Sequence, residues 1–416
     1  MNWRKKSKND WGRLDLILNK EIKYSKIIDS LYIKGRIGWK GLKKEEYLPN
    51  SDFRIINGKS VKEGGIDWGE TGYITKERYD ESPEIMLKSS DIVITKDGTI
   101  GKVALIDELT KPTTVASGLF VLRNINPEKW DTKFLYYYLI SPFFKSFIES
   151  RTEGSVIPHL YQRDFEQLEL PEFSLKEQRA VSNLLSALDN RIAENKKINH
   201  HLAEIAKSIF DSYFIDLSPY NGVMPDDWQL SNLTGIANYL NGLAMQKHRP
   251  QSNEQGLPVL KIKELRQGFT DSTSDLCSSN IRRDYIIHDG DVIFSWSGSL
   301  LVDFWTGGDC GLNQHLFKVS SETYDKWFYY AWTKHHLDRF VKMAADRATT
   351  MGHIKRDALE KAEVLIPSNK DYQEIGNKLK PIYDQIINNR VESRKLVALR
   401  DTLLPKLMSG EISVTD

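Results

Sequence analysis

A long internal repeat restricts the fold of this chain more than any other feature of its sequence. The segment Asp91–Ile100 resembles Asp291–Leu300, and residues 134–137 resemble residues 327–330. The other matching pairs are 118–121 with 315–318, His159 with His353, Arg163-Asp164 with Arg356-Asp357, and Leu170-Pro171 with Ile366-Pro367. These matches keep one order along the chain at offsets of 193–200 residues. Such self-similarity indicates duplication, so we expect two similar domains within the 416 residues.

The first part of each copy combines strand and helix patterns. Residues 91–94 and 291–294 are short β-branched or aromatic runs followed by a glycine, which is typical of a strand and a turn. The windows 134–147 and 327–340 carry aromatic residues at helical spacing. We interpret these windows as short helices packed in the core. Stacking of their rings on nucleic-acid bases is the alternative.

Each copy closes with a long amphipathic pattern. Residues that are mainly apolar recur at steps of three and four, with polar residues near the middle, and the two series are offset by 194 residues. The positions are Leu185, Leu188, Ile192, Asn195, Asn199, Leu202, Ala206, Ile209 and Tyr213 in the first copy and Leu379, Ile382, Ile386, Asn389, Ser393, Leu396, Arg400, Leu403 and Leu407 in the second. This heptad pattern predicts two long helices.

A helix of about 38 residues would be about 57 Å long, and its apolar seam needs a partner. The other copy is the natural partner, so we expect an antiparallel coiled coil with the two globular domains at opposite ends, related by a pseudo-twofold. The polar residues Asn195, Asn199, Asn389 and Ser393 would fix its register. The alternative is that each helix packs only on its own domain.

The net charge is +1, from 58 basic and 57 acidic residues. This balance argues against a small, uniformly basic DNA-coating protein and against an acidic tail or buffer. The charge is nevertheless segregated. Residues 1–44 contain 13 basic and 4 acidic side chains, and a second basic cluster lies at 334–356. Basic stretches with interleaved aromatic residues fit phosphate contact, and a solvated basic surface is the alternative.

Several classes of protein and of site are disfavoured by the sequence. Two cysteines, Cys277 and Cys310, cannot form a disulfide framework or a four-cysteine zinc site. No 18-residue apolar run or signal-peptide core occurs, so we expect a cytoplasmic protein. The segment Gly98–Lys102 lacks the Walker A spacing and predicts a tight turn. The pairs Asp91/Asp97 and Asp289/Asp291 suggest a metal site, but acidic residues that flank turns are common.

The two copies differ most in their loops. Lys96-Asp97 in the first copy corresponds to Trp296-Ser297 in the second, and residues 151–155 correspond to the dissimilar residues 347–351. A duplicated enzyme usually keeps the side chains of one active site. A constant framework with variable loops instead favours two domains that recognise different targets.

Several motifs resemble the family of type I restriction–modification DNA specificity subunits. The matching segments are 91–105, the helix entry 170–178, Ile209–Asp216, Pro225–Trp228 and the C-terminal stretch Leu399–Ile412. The resemblance covers nearly the whole chain. It implies an α+β fold with two pseudo-twofold-related α/β target-recognition domains, at 1–174 and 218–368. Long helices at 175–217 and 369–416 would separate them as an antiparallel coiled coil.

The resemblance also implies the function. Each recognition domain would read one half-site of an asymmetric, bipartite sequence in double-stranded DNA, and the helices would set the spacer. The subunit would dock two methyltransferase subunits and then restriction (translocase–nuclease) subunits. S-adenosylmethionine, ATP and Mg²⁺ would act in those partners, so we expect no cofactor, metal site or catalytic residue in this subunit.

Loop residues whose donors could reach bases or phosphates are the candidate DNA contacts. They are Arg36, Lys40, Lys96, Lys102, Arg151, His159, Tyr161 and Arg163 in the first domain, and Lys247, Arg249, Trp296, Arg347, His353, Lys355 and Arg356 in the second. For each, a structural or solvated role is the alternative. Glu177, Gln178, Arg400 and Asp401 lie in the helix motifs, where we expect them to organise the helices or subunit docking.

Two other functions remain as alternatives at this point. A coiled-coil scaffold could bind proteins without recognising DNA, although the basic loops in both copies argue against this. A stand-alone nuclease or methyltransferase would need a catalytic motif that the sequence does not contain.

Overall fold

The chain divides into two compact units in a computed structural model. The first unit spans Met1–Asn190 and Val397–Asp416, and the second spans Arg191–Leu396. The structure describes residues 22–37, 41–62, 64–152, 159–346 and 356–414.

Eleven strands are described in the first unit, and ten in the second. Those of the first unit are β1 (Tyr24–Lys26), β2 (Leu31–Gly35), β3 (Phe53–Ile56), β4 (Val61–Lys62), β5 (Gly65–Ile66), β6 (Gly72–Ile74), β7 (Ile92–Thr95), β8 (Val103–Leu105), β9 (Thr113–Val115), β10 (Leu119–Asn124) and β11 (Glu169–Pro171). Those of the second are β12 (Gln229–Asn232), β13 (Asn238–Asn241), β14 (Leu257–Leu260), β15 (Leu276–Cys277), β16 (Ile286–Ile287), β17 (Val292–Ser295), β18 (Leu301–Phe304), β19 (Cys310–Leu312), β20 (Leu316–Ser320) and β21 (Glu363–Ile366).

Short helices accompany the sheets, and two helices are much longer than the rest. The described α-helices are α1 (Lys76–Asp80), α2 (Thr132–Ile140), α3 (Pro142–Thr152), α4 (Leu175–Phe210), α5 (Leu233–Ile236), α6 (Ile262–Gln267), α7 (Lys326–His335), α8 (Leu337–Asp346), α9 (Arg356–Glu360) and α10 (Asn369–Met408). The aromatic windows therefore form α2–α3 and α7–α8, and their rings lie mostly in the core, as predicted.

The two units share the strand order of their main sheet and part of a second sheet. A four-stranded antiparallel sheet has the order β2-β10-β7-β8 in the first unit and β13-β20-β17-β18 in the second. A second sheet, β6-β3-β9 or β15-β14-β19-β16, contains one parallel pair in each unit, β3 with β9 or β14 with β19. Antiparallel pairs β1–β11 and β12–β21 complete the correspondence. The predicted duplication is confirmed at the level of strand order.

Strand register shows which residues correspond between the copies. Phe120 lies opposite Ile94 in the first unit, and Phe317 lies opposite Phe294 in the second. Because β7 and β17 are buried along their whole length, their apolar residues face the cores on both sides of the sheet. Both hairpins then turn through a glycine with positive φ, 65° at Gly98 and 64° at Gly298.

The starts of the long helices are specified by the same local signal. Ser174 and Glu177 form a capping box before α4, with Ser174 N donating to a Glu177 carboxylate oxygen over 2.8 Å. Ser368 and Asp371 occupy the corresponding positions before α10, where the Asp371 amide donates to Ser368 Oγ over 3.4 Å. Side-chain caps of this kind satisfy the free amides of a first helical turn.

In the first unit the beginning of α4 packs against the end of α10. Leu185 of α4 shares a core with Leu404 and Leu407 of α10. Arg400 reaches Asp189 over 2.8 Å. Earlier residues of α4 thus meet later residues of α10, which confirms the antiparallel pairing.

In the second unit the two helices meet through a polar layer. Asn195 Nδ2 donates to Glu392 Oε2 over 2.7 Å and to Ser393 Oγ over 3.3 Å. Asn389 Nδ2 donates to Asn199 Oδ1 over 2.9 Å. Asn195 and Asn389 are almost fully buried. Buried amides that bond across the helices match only in this register, as the sequence pattern predicts.

Candidate nucleic-acid interface

The turns of the two central hairpins present different side chains on the same framework. Lys96 follows β7, and its Nζ lies 4.8 Å from the centre of the Phe120 ring. Trp296 follows β17 and stacks on Phe317, the residue equivalent to Phe120, with ring centres 5.6 Å apart. The Trp296 indole N–H donates to Asn241 Oδ1 over 3.0 Å. One turn thus carries a cation, and the other carries a partly buried indole ring.

Partial burial affects the pKa of Lys96. Partial burial of the ammonium group lowers the pKa of Lys96, and the Asp97 carboxylate opposes that change. The aromatic ring beneath the ammonium group compensates part of the lost hydration through a cation–π contact. Lys96 is therefore held in place beside the turn, which reduces the entropy lost when it binds a ligand.

A histidine supports each turn from a neighbouring segment. His159 Nδ1 contacts the carboxylate of Asp97 in the first unit. His315 Nδ1 lies 3.1 Å from Ser297 Oγ in the second. The two histidines come from different places in the repeat, so the support has a different origin in each copy. His315 was not among the predicted residues, because no local pattern distinguishes it.

A cluster of aromatic and basic side chains continues from His159. Its ring lies 4.5 Å from that of Tyr161, and the Arg163 guanidinium lies 5.0 Å from the Tyr161 ring. Tyr161 is 49% exposed. The predicted residues Lys96, His159, Tyr161 and Arg163 thus form one connected group beside the β7–β8 turn, because the amide of Leu160 donates to the Lys96 carbonyl over 3.1 Å.

The same turn borders an open cleft of about 480 Å³. Lys102 and Gly98 line it from the hairpin, and Tyr47, Asn57 and Lys59 line it from the segments that flank β3. The last three residues were missed by the sequence analysis. An Asn-Gly pair at 57–58 indicates a turn, but only the fold shows that this turn meets the β7–β8 hairpin.

The remaining described candidates of the first unit differ in exposure. Arg36 is 2% exposed, and its Nε donates to the Val115 carbonyl over 3.1 Å. Its guanidinium also reaches Ser82 and Thr114, so it joins segments inside the domain. Arg151 is exposed near the end of α3, with its guanidinium over the Phe147 ring.

In the second unit, three described candidates are exposed cations. Lys247 and Arg249 lie in the segment after β13, the strand whose last residue, Asn241, binds Trp296. Arg356 is the first residue of α9. Lys40, Arg347, His353 and Lys355 lie outside the described residues, as does most of the basic stretch 1–44.

The acidic residues that flank the hairpins have basic partners. The pairs are Asp91 with Arg123, Asp97 with His159, Asp289 with Arg394, and Asp291 with Lys318. In the parts of the chain that the structure describes, no three His, Cys, Asp or Glu side chains are grouped so that they could hold a metal ion.

Both cysteines are buried and free, and burial raises the pKa of the Cys277 thiol.

No helix among the described residues is long and apolar enough to cross a membrane.

Comparisons with known proteins match both copies of the repeat. The family model described as the type I restriction modification DNA specificity domain matches residues 24–204 and again residues 225–395. The MjaIX specificity subunit of a type I restriction enzyme from Methanocaldococcus jannaschii is 26% identical over 364 residues, which cover 82% of each chain. The EcoKI specificity subunit from Escherichia coli is 24% identical, over 89% of this chain and 83% of its own.

A solved structure agrees with the fold. The S subunit of a type I restriction–modification system from M. genitalium superimposes with a TM-score of 0.60 at 18% sequence identity. The superposition covers 94% of this chain and 96% of that one. The two-domain architecture with long helices is therefore one that a protein of known structure also adopts.

Proposed function

The chain belongs to the type I restriction modification DNA specificity family, and from this premise we propose that it is the DNA-recognition subunit of a restriction–modification complex. Each recognition domain reads one half-site of an asymmetric bipartite target. One observation carries the proposal: the two family matches fall on two copies of one topology whose equivalent turns bear Lys96 and Trp296. Two similar frameworks whose turns carry different side chains are suited to recognising two different half-sites.

The chemistry of the two turns fits different base edges. The Lys96 ammonium can donate to guanine O6 and N7 or to a phosphate, and Lys102 and Arg163 can add phosphate contacts. The Trp296 indole offers an apolar face to a thymine methyl group, while exposed Lys247 and Arg249 can hold the DNA backbone. Backbone contacts would orient each domain, and the turn residue would supply discrimination.

The long helices offer a surface for protein partners. Ile198 and Ile205 of α4 are 36% and 49% exposed and lie seven residues apart, so they share a helix face. We assign this face to the docking of methyltransferase subunits, and restriction subunits join that assembly. Methyl transfer from S-adenosylmethionine and ATP- and Mg²⁺-dependent translocation belong to those partners, and this chain is non-catalytic.

Mapping of modified bases tests the proposed function. We expect a cell that co-expresses the chain with its methyltransferase subunit to modify genomic DNA at one asymmetric sequence, made of two short half-sites and a fixed spacer. Sequencing that detects modified bases measures this directly, and cells with the methyltransferase alone are the control. A contiguous motif, or no modification that depends on this chain, would show that the proposal is wrong.

Alanine substitutions distinguish the roles of the two turn residues. We expect Lys96→Ala and Trp296→Ala each to weaken binding of the assembled complex to its target about 10-fold, in keeping with one lost base contact. Only Lys96→Ala should also flatten the logarithmic salt dependence of binding, by up to about one unit, because it removes a cation from the interface. Binding titrations at several salt concentrations measure both effects.

Lys133→Ala is the matched control for these titrations, because Lys133 is an exposed lysine of the same domain on α2. If both turn variants bind DNA as tightly as the control does, the turns are not part of the DNA interface.

A further inference from the structure

We propose that Arg390 and Arg394 of α10 are positioning residues for the second recognition domain: they fix the β17–β18 hairpin to the helix and thereby align Trp296 with its half-site. This inference rests on the proposed function. It concerns residues that contact the hairpin and are not themselves placed at the DNA.

Arg394 holds the segment that leads into the hairpin. Its Nη1 and Nη2 donate to the two carboxylate oxygens of Asp289, each over 2.8 Å. Nη1 also donates to the Thr306 carbonyl over 2.7 Å. Asp289 accepts a further bond from the amide of Gly308 over 2.8 Å. A bidentate guanidinium–carboxylate pair fixes both distance and orientation.

Arg390, one helical turn earlier, holds the other strand. Its Nη1 donates to Asp303 Oδ1 over 2.8 Å and approaches the Phe304 carbonyl at 3.4 Å. Phe304 stacks on Tyr330 with ring centres 3.9 Å apart, and Tyr383 of α10 packs against both rings. The ion pair therefore lies at the edge of an aromatic contact between the helix and the sheet.

The two arginines thus secure both sides of one hairpin. Asp289 precedes β17 and Asp303 lies on β18, whereas Trp296 lies in the turn that joins these strands. The side chains of both ion pairs are about one third exposed, so water screens them only in part. A tilt of the hairpin at its base would displace the turn, and recognition of base edges tolerates little displacement.

The same stretch of α10 also fixes its own register against α4. Asn389 and Ser393, each next to one of the arginines, belong to the buried polar layer with Asn195 and Asn199. The six residues 389–394 of α10 therefore bond to α4 on one side and to the β17–β18 hairpin on the other.

The first copy does not contain this arrangement of residues. At the 194-residue offset, Lys196 and His200 replace the two arginines. Strand register places Ala104 where the second copy has Asp303, and Ser89 corresponds to Asp289. The first copy therefore lacks both arginines and both acidic residues. The two ion pairs are specific to the second copy, and their loss should affect one half-site only.

The test uses the complex of the full chain with its methyltransferase subunit, co-expressed in cells, and genomic DNA as the probe. We expect the double variant R390Q/R394Q to lower modification at the complete target about 10-fold, as for the loss of two partly screened ion pairs. Sequence preference should relax at the half-site read by the second domain and stay unchanged at the other. Lys395→Gln removes a neighbouring exposed charge on the same helix and should behave as the wild type.

A conservative variant separates positioning from a loss of folding. R390K/R394K keeps both charges but not the bidentate geometry, so we expect intermediate relaxation at the same half-site. An unchanged motif in R390Q/R394Q, or equal relaxation of both half-sites in the lysine variant, would overturn the proposal. If the wild-type complex modifies no bipartite sequence, the proposed function itself fails, and that result is distinct from either of these.

Discussion

Replacing residues 218–368 with the corresponding domain of a relative that reads another target will change one half-site of the modified sequence and leave the other half-site unchanged. The physical reason is that the second domain has its own sheets and reading turn, and α4 and α10 remain in place. Each half-site is read only by side chains that reach its base edges, so the exchange should be complete rather than graded. Mapping of modified bases in co-expressing cells measures both half-sites at once.

The graft must respect the contacts between the domain and α10. A donor domain should carry aspartates at the positions of Asp289 and Asp303, because Arg390 and Arg394 stay in the recipient. Re-insertion of the native domain through the same junctions is the control. A change in both half-sites, with the spacer intact, would contradict the modular reading by two domains.

The helical part of the fold could be predicted because its signals are local and repeated. The seam of mainly apolar residues keeps one period in both copies, and Ser368 and Asp371 stand before the second helix where Ser174 and Glu177 stand before the first. Helix starts and amphipathic faces depend on residues within a few positions of each other. Sequence patterns therefore located both long helices and their polar layer.

Burial of individual cations could not be predicted in the same way. Arg36 and Lys96 each follow a strand directly, so their local patterns are alike. The fold places Arg36 in the interior, bonded to the Val115 carbonyl 79 residues away, and places Lys96 beside a turn. Only the pairing of distant strands separates these two environments.

The ion pairs of Arg390 and Arg394 show that contacts made by a helix can be equally hard to predict from sequence. Arg390 and Arg394 fit the polar side of an amphipathic pattern, where a solvated role is the usual interpretation. Their partners Asp303 and Asp289 lie 87 and 105 residues away. No periodicity relates these positions, so the structure was needed to connect the helix with the recognition hairpin.

Lengthening both long helices by one heptad will lengthen the spacer of the recognised sequence and leave both half-sites unchanged. We place the insertions after Asn190 and after Leu396, where the two compact units divide. Seven residues add about 10.5 Å to a helix, which corresponds to about 3 base pairs of DNA at 3.4 Å each. One heptad also rotates the helix by only about 20°, so the apolar seam and the polar layer keep their facing sides.

Insertion of a heptad into α4 alone provides the contrasting variant. The apolar seam would still face α10. However, α4 residues before the insertion and α4 residues after it could no longer both stay opposite their present partners in α10. Either Asn195 and Asn389 would have to separate, or Leu185 would leave the core that it shares with Leu404 and the Asp189–Arg400 pair would break. Since a buried amide that loses its partner costs about 1–3 kcal/mol, we expect this variant to lose target modification. An unchanged spacer in the double insertion, with modification retained, would show that the helices do not determine the distance between the half-sites.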